Sequence, residues 1–294
     1  MTIIDFHSHY VDPELVPEPP PGTSSGLARC WPALTDWDGQ LAGLGGRGVD
    51  RRVVSSPAAT LAGPGRSLSA GTIRAVNDSL ARRAAEARDR ISALATVDVF
   101  AGDTAAAEAA RAVTELGLDG ICVDCCGGEW LLDAPRARPA LELAAALGVP
   151  VFVHPVGPLS PDTRFERLEG AGRLLARGSE ASLSLLAVIR AGLLEELPRL
   201  RIVVPMIAIS GLYYAESRGS SLYIDTMGLS PAWVRLAVDL LGVPQVVVGT
   251  DYPIVNGDPS RKHIETMLHE TGLNKAARSS ISSGSALALL DRQT

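Results

Sequence analysis

The chain has 294 residues, 46% of them hydrophobic, and a formal net charge of −6. This composition supplies a large core, while the acidic balance and the lack of a basic block argue against nucleic acid as a partner. No apolar run approaches the roughly 20 residues of a membrane span, and no secretory signal pattern opens the sequence, so we expect neither membrane insertion nor export. The four cysteines suit a reducing cytoplasm better than a disulfide framework.

Strand-like and helix-like segments alternate along the chain. Strands are predicted at residues 3–9, 52–57, 91–99, 120–125, 149–154, 201–207, 222–227 and 246–250. Helices are predicted at residues 37–44, 73–88, 104–116, 135–147, 179–196, 231–241, 259–269 and 275–290. This alternation indicates parallel βαβ units, and eight of them predict an α/β fold of the (β/α)8 TIM-barrel type. An open doubly wound sheet is disfavoured because no glycine-rich phosphate fingerprint follows the first strand.

Residues 1–294 are therefore predicted to form a single barrel domain. Its main interruption is a proline- and glycine-rich insertion at about residues 11–36, which we expect to be a loop. Trp31 lies in this insertion and is a candidate substrate-binding residue, because the insertion could form part of a lid over a pocket.

Two histidines, His7 and His9, end the first predicted strand. Residues two apart in a strand point the same way, so both rings can reach one divalent metal, although a pair of polar residues at a strand end is the alternative. His154 ends the fifth predicted strand and Asp251 the eighth. The carboxyl ends of barrel strands meet at one mouth, and a charged carboxylate after an apolar strand is costly to bury alone. Three imidazoles and one carboxylate are a usual set for Zn²⁺, with Fe²⁺ or Mn²⁺ as alternatives.

Three motifs, in this order, resemble the amidohydrolase superfamily, and more narrowly its branch of aminocarboxymuconate semialdehyde decarboxylase and related nonoxidative decarboxylases. The motifs are Ile4-Asp5-Phe6-His7-Ser8-His9, the segment from Asp133 to Pro139 that leads to Val151-Phe152-Val153-His154-Pro155, and Gly249-Thr250-Asp251-Tyr252-Pro253. The resemblance implies a single metal held by His7, His9, His154 and Asp251. Binuclear members carry a carboxylated lysine on strand four, whereas both lysines of this chain lie elsewhere. The resemblance also implies a small-molecule substrate and a homodimer.

The chain departs from this family at the end of the sixth strand. The family has a further histidine there, which activates metal-bound water or moves protons, whereas this chain carries Met206 at the position that we align with it. No histidine lies between His154 and His263. Asp225 on strand seven is the replacement favoured by its position, although a structural role is equally compatible. Other candidates are Asp124, Glu129, Tyr213, Tyr214 and Glu216.

A thioether has no proton to exchange, so Met206 cannot act as the base that hydrolysis needs. We therefore predict a metal-dependent lyase, most simply one that decarboxylates a small unsaturated or aromatic carboxylate, with Asp251 and Asp225 as catalytic residues. Arg47 or Arg51 is a candidate partner for the substrate carboxylate. Met206 is a candidate substrate-binding residue in the wall of the pocket. The alternatives are a metal-dependent hydrolase of an activated ester, lactone or amide, and a non-catalytic protein that binds a metal or ligand.

Overall fold

The computed structural model describes residues 1–46, 48–63, 66–157, 163–212, 221–255 and 259–291. Its main sheet has eight strands, and each pairs in parallel with the next along the chain. They are β1 (Ile4–His9), β2 (Arg51–Ser55), β3 (Ile91–Thr96), β4 (Gly120–Asp124), β5 (Pro150–His154), β6 (Arg201–Val204), β7 (Leu222–Asp225) and β8 (Val246–Val247).

The backbone after β8 returns to β1 and closes the sheet. Phe6 N donates to Val248 O at 2.7 Å, and His9 N donates to Tyr252 O at 2.8 Å. These bonds join the last strand segment to the first, so the eight strands form a nearly closed barrel. The fold is the predicted (β/α)8 TIM barrel.

Helices surround this barrel in the connections between strands and after β8. They are α1 (Ser25–Leu34), α2 (Trp37–Ala42), α3 (Ala58–Ala62), α4 (Ala70–Glu86), α5 (Asp103–Thr114), α6 (Arg138–Leu147), α7 (Thr163–Glu166), α8 (Glu169–Arg190), α9 (Leu193–Glu196), α10 (Pro231–Leu241), α11 (Arg261–Glu270), α12 (Lys275–Ser279) and α13 (Ser285–Leu290). In the described residues, none of these helices is both long and apolar enough to cross a bilayer.

The barrel interior is filled from the strands themselves. A buried cluster contains Ile4, Phe6, Val53, Leu94, Cys122, Phe152, Val203 and Val247, together with Ala286 and Leu289 from the C-terminal helix. The pairing of β1 with β2 shifts its register between Asp5 and Ser8. Such a bulge re-aims the residues that follow it. Phe6 belongs to the interior cluster, so a regular strand would point the next residue, His7, away from it. The bulge accounts for the approach of His7 to Phe152 inside the barrel, with ring centroids 4.6 Å apart.

Several elements differ from the sequence-based predictions. The insertion predicted as a loop contains α1, because Ser24 accepts a hydrogen bond from Leu27 N and so caps a helix despite the proline-rich context. The sixth strand ends at Val204, and a 3₁₀ segment, Met206–Leu212, replaces its predicted last residues. The helix predicted from residue 179 begins ten residues earlier, at Glu169.

Candidate metal centre

Three of the predicted ligands converge at the carboxyl ends of the first and last strands. His7 Nε2 and His9 Nε2 lie 3.1 Å apart. Asp251 Oδ1 lies 3.4 Å from the first nitrogen and 3.0 Å from the second. All three side chains are buried, and one ligand atom from each lies within 4.8 Å of the others. Two imidazoles and one carboxylate therefore face a common point.

The other nitrogen of each imidazole is engaged by a neighbouring strand. His7 Nδ1 lies 2.6 Å from Asp225 Oδ2, and His9 Nδ1 lies 3.1 Å from Ser55 Oγ. A carboxylate can only accept, so His7 Nδ1 carries the proton and donates it to Asp225. When the ring is neutral, its Nε2 presents a lone pair to the common point. This is the arrangement by which outer partners fix the tautomer and orientation of metal-binding histidines.

The backbone holds Asp251 in an unusual conformation. Its φ is +59°, in the left-handed region that non-glycine residues rarely occupy. Its N–H donates to His7 O at 2.8 Å, which ties the residue to β1. The preceding Thr250 donates to the buried Asp5 through both its backbone N–H and its hydroxyl. These bonds hold Asp251 against the histidines and maintain its strained backbone.

Charge and burial act in opposite directions on these groups. Burial alone would lower the pKa of His7, but the carboxylates of Asp251 and Asp225 raise it above its ordinary value. Burial lowers the pKa of His9 despite its contact with Asp251. Burial would raise the pKa of Asp251, yet the two histidines lower it. Asp251 is therefore ionised at neutral pH, as a metal ligand must be.

His154 lies beside this group at the end of β5. Its ring centroid is 5.1 Å from that of His9 and 6.5 Å from that of His7. Its Nδ1 lies 3.7 Å from Asp124 Oδ1 at the end of β4. Burial, with His9 and a nearby arginine, holds the pKa of His154 well below its usual value, so the ring is neutral. Burial also raises the pKa of Asp124 to about 7.

The buried polar atoms of this site fit a divalent cation. Asp251 Oδ1 and His154 Nδ1 are buried without a hydrogen-bond partner of good geometry among the described residues. Two imidazole lone pairs facing each other beside a carboxylate would repel one another unless a proton or a cation lay between them. Imidazole nitrogens and an ionised carboxylate are the donor set that borderline divalent metals accept.

The remaining predicted site residues fall in different places. Met206 is buried directly after β6, and its N–H donates to Asp225 Oδ1 at 2.9 Å. Asp225 also accepts from Met227 N, so both of its oxygens have partners. Trp31 is buried in α1, and the adjacent Cys30 contacts Ile254 O just after Asp251. This helix therefore lies beside the mouth of the barrel.

Of the two arginines predicted to bind the substrate, Arg51 is not brought to this site. Arg51 is the first residue of β2 and donates to Ser92 Oγ, whereas Ser55 at the other end of the same strand contacts His9. A strand rises by about 3.3 Å per residue, so Arg51 lies toward the opposite end of the barrel. Arg47 lies outside the described residues, as do the candidate bases Tyr213, Tyr214 and Glu216. Glu129 is exposed in a turn after β4.

An arginine that the sequence did not single out reaches the site from α8. Arg177 Nη2 lies 3.4 Å from His154 Nε2, and its Nε and Nη2 both donate to Pro155 O. Arginines are frequent in this chain, and nothing in the local pattern distinguishes this one from a surface residue. Only the packing of α8 against the end of β5 reveals it.

Comparison with known proteins identifies the family of this chain. The amidohydrolase family profile matches residues 4–292. Gamma-resorcylate decarboxylase of Rhodococcus jostii is 36% identical over 154 residues, 48% of this chain and 46% of that protein. Its counterpart in a Rhizobium species is 31% identical over 210 residues, 68% of this chain and 61% of that protein. The matched region thus spans about half to three-fifths of these relatives. The 2-amino-3-carboxymuconate-6-semialdehyde decarboxylase of Dictyostelium discoideum is 22% identical over 205 residues, 62% and 56% of the two chains.

Solved structures share the whole fold. A 2,6-dihydroxybenzoate decarboxylase in complex with 2,6-dihydroxybenzoate superposes with a TM-score of 0.80 and 24% identity, over 99% of this chain and 98% of that one. A dihydroxybenzoic acid decarboxylase from a Polaromonas species, with bound manganese and 2-nitroresorcinol, gives a TM-score of 0.75 and 22% identity over 98% and 96% of the two chains. The chain therefore belongs to the amidohydrolase family, in the branch of the superfamily that includes aminocarboxymuconate semialdehyde decarboxylase and the gamma-resorcylate decarboxylases.

Proposed function

We propose that this protein is a metal-dependent lyase that decarboxylates a small aromatic or unsaturated carboxylate without an oxidant. The observation that carries this proposal is the group of His7, His9 and Asp251, whose ligand atoms face one point. At the end of β6, where the family has a histidine, this chain has the buried Met206. Such a centre can polarise a substrate, whereas the thioether of Met206 has no proton to exchange with water. The decarboxylases among its relatives support the same reaction.

A single divalent ion is the proposed cofactor. His7, His9 and Asp251 would hold it, with His154 as the fourth ligand. We propose zinc because imidazole and carboxylate donors suit it; manganese, found in the related Polaromonas structure, and iron are the alternatives. When bound, the ion would supply Lewis-acid polarisation of a substrate oxygen.

The proton balance assigns different roles to two carboxylates. Decarboxylation releases CO₂ and places one proton on the carbon that carried it. Asp225 is fully occupied by His7 and two backbone N–H groups, so we assign it to positioning His7 rather than to proton transfer. Asp124 accepts from Ala59 N through Oδ2, while its buried Oδ1 has no hydrogen-bond partner among the described residues. We therefore assign the handling of the proton to Asp124 Oδ1.

The setting of the protein is also proposed. The four cysteines, Cys30, Cys122, Cys125 and Cys126, are free thiols, which suits a cytoplasmic location. A homodimer is proposed from the family resemblance, and size-exclusion chromatography with light scattering tests it.

Turnover assays on metal-loaded protein test the reaction. The substrate panel contains 2,6-dihydroxybenzoate and other hydroxybenzoates, with CO₂ release and loss of the carboxylate measured together. His9→Gln is expected to abolish release while the fold persists. Cleavage of an activated ester or lactone without CO₂ would favour the hydrolase alternative, and inactivity on both panels would favour a non-catalytic role.

A further inference from the structure

Arg177 on α8 is a cation beside the candidate metal centre, and it has no role in the proposed metal binding or proton transfer. Its Nε donates to Pro155 O at 3.1 Å and its Nη2 to the same oxygen at 2.8 Å. This pair of bonds fixes one edge of the guanidinium group to the residue that follows His154. Nη2 also lies 3.4 Å from His154 Nε2. The orientation of the group is therefore set by the backbone at the end of β5.

The outer end of this guanidinium keeps donors available. The group has five N–H donors, and the contacts with Pro155 and His154 use those on Nε and Nη2. Nη1 donates to no described residue, and Arg177 is only partly buried, so that end is accessible. The two N–H groups of Nη1 can donate charge-assisted hydrogen bonds to a carboxylate.

Arg177 also differs from other arginines of this chain in its electrostatic partners. Arg111 pairs with Glu108 and Asp78, and Arg261 pairs with Asp50. Within the described part of the chain, Arg177 forms no ion pair with a carboxylate, since its contacts are a carbonyl oxygen and an imidazole. Its charge acts at longer range on Asp124 and Asp251, where it opposes the effect of burial on their pKa values. Because neither carboxylate forms an ion pair with it, Nη1 remains available to an anionic ligand group.

From these contacts we propose that Arg177 binds the anionic group of the substrate, a carboxylate, and so determines specificity for carboxylated over neutral ring compounds. This inference rests on the proposed function. It replaces the earlier expectation for Arg51, which lies toward the other end of the barrel. The edge fixed at Pro155 leaves Nη1 as the donor end beside His154, so one carboxylate can contact Arg177 while the rest of the ligand occupies the barrel mouth.

Ligand binding to metal-loaded protein tests this role separately from turnover. The probes are 2,6-dihydroxybenzoate and resorcinol, which share a ring and differ in the carboxylate, and affinity is measured by titration calorimetry. Arg177→Met should weaken binding of 2,6-dihydroxybenzoate by about 10- to 100-fold, as expected for loss of a charge-assisted hydrogen-bonded pair. Resorcinol should bind equally to both proteins. Arg177→Lys should fall between them, because it keeps the charge and loses the paired bonds to Pro155 O that orient the donor.

Arg173→Met is the matched control, because it removes the same charge from an exposed position one turn earlier on α8. It should leave both affinities within about twofold, since a solvent-exposed charge is screened. An equal loss in Arg173→Met would overturn the proposal in favour of a diffuse charge effect. An equal loss for resorcinol, or loss of the metal from Arg177→Met, would overturn it in favour of a structural role at His154. Failure of the native protein to bind 2,6-dihydroxybenzoate or any other hydroxybenzoate of the panel would also overturn it.

The proposed function can fail independently. Carboxylate binding that depends on Arg177 without any CO₂ release would refute the lyase and leave the binding role intact. CO₂ release with an unchanged KM in Arg177→Met would refute the binding role and leave the lyase intact.

Discussion

Asp225→Asn tests the positioning role assigned to that carboxylate. In the native protein, Asp225 Oδ2 accepts the proton of His7 Nδ1 at 2.6 Å, while Oδ1 accepts from Met206 N at 2.9 Å and from Met227 N at 2.8 Å. An asparagine can keep the two backbone bonds through its carbonyl oxygen. Its amide nitrogen then faces His7 as a donor, which favours the opposite imidazole tautomer.

The expected effect is on metal affinity more than on folding. With Nδ1 accepting, His7 Nε2 carries the proton and no longer offers a lone pair to the metal. Loss of such an outer partner typically weakens metal binding by about 10- to 100-fold, or about 1.4 to 2.7 kcal/mol. Asp225→Ala should instead destabilise the fold, because two buried N–H groups lose their acceptor at a cost of about 1–3 kcal/mol each.

Competition with a chelator of known affinity measures the dissociation constant of Zn²⁺ or Mn²⁺ from each protein. Asp239→Asn is the control, since it neutralises an exposed carboxylate paired with Arg235 on α10. It should change the affinity by less than about twofold, because surface ion pairs contribute little. Native metal affinity in Asp225→Asn combined with lost turnover would refute the positioning role and restore Asp225 as a proton-transfer residue.

Three further predictions concern neighbouring residues. Gly249→Ala would place a Cβ atom 2.7 Å from Asp225 Cβ. Thermal unfolding should therefore show a free energy of unfolding lower by about 1–3 kcal/mol, and metal binding should weaken. An unchanged stability and metal affinity would contradict this packing. Met206→His should add a pH-dependent proton-transfer step to turnover. A gain in the turnover rate of about 10²–10⁴-fold, the range of general acid–base catalysis, would support the alignment of Met206 with the family's histidine. An unchanged pH profile would count against that alignment. The pKa of Glu108 lies below its ordinary value of 4.5, because hydrogen bonds from Arg111 and Asn77 outweigh the effect of burial. Its contribution to stability is therefore present above pH 4.5 and lost as the pH falls through the lowered pKa. Denaturant titrations at a series of pH values measure how the free energy of unfolding depends on pH, and this part of the dependence should be absent in Glu108→Gln.

The parts of the site that come from strand ends could be predicted from the sequence. His7, His9, His154 and Asp251 follow short apolar runs, and the parallel strands of a barrel bring such positions to one mouth. The period of two residues predicts that the two histidines of β1 lie on one side, and their Nε2 atoms are 3.1 Å apart. The register shift after Asp5, which aligns them with the interior, has no sequence signature of its own.

Features that depend on packing between distant elements could not be predicted. Arg177 reaches His154 only because α8 packs over the end of β5, and an arginine on an amphipathic helix otherwise resembles a solvated residue. The role of Asp225 depends on which atoms meet its two oxygens, which the sequence cannot specify. The helix at Ser25–Leu34 was obscured by the surrounding prolines and by Pro32 within it.

Metal stoichiometry tests the central claim most directly. Purified protein is equilibrated with Zn²⁺ or Mn²⁺, freed of unbound ion by gel filtration and analysed by mass spectrometry for metal per chain. The control is a double variant, His7→Gln with His9→Gln, whose fold is verified by circular dichroism. We predict a single ion bound to the native chain and almost none in the folded variant, because the variant lacks both imidazoles of the central group. No ion in the native protein, or equal amounts in both proteins, would contradict a metal centre at the mouth of this barrel.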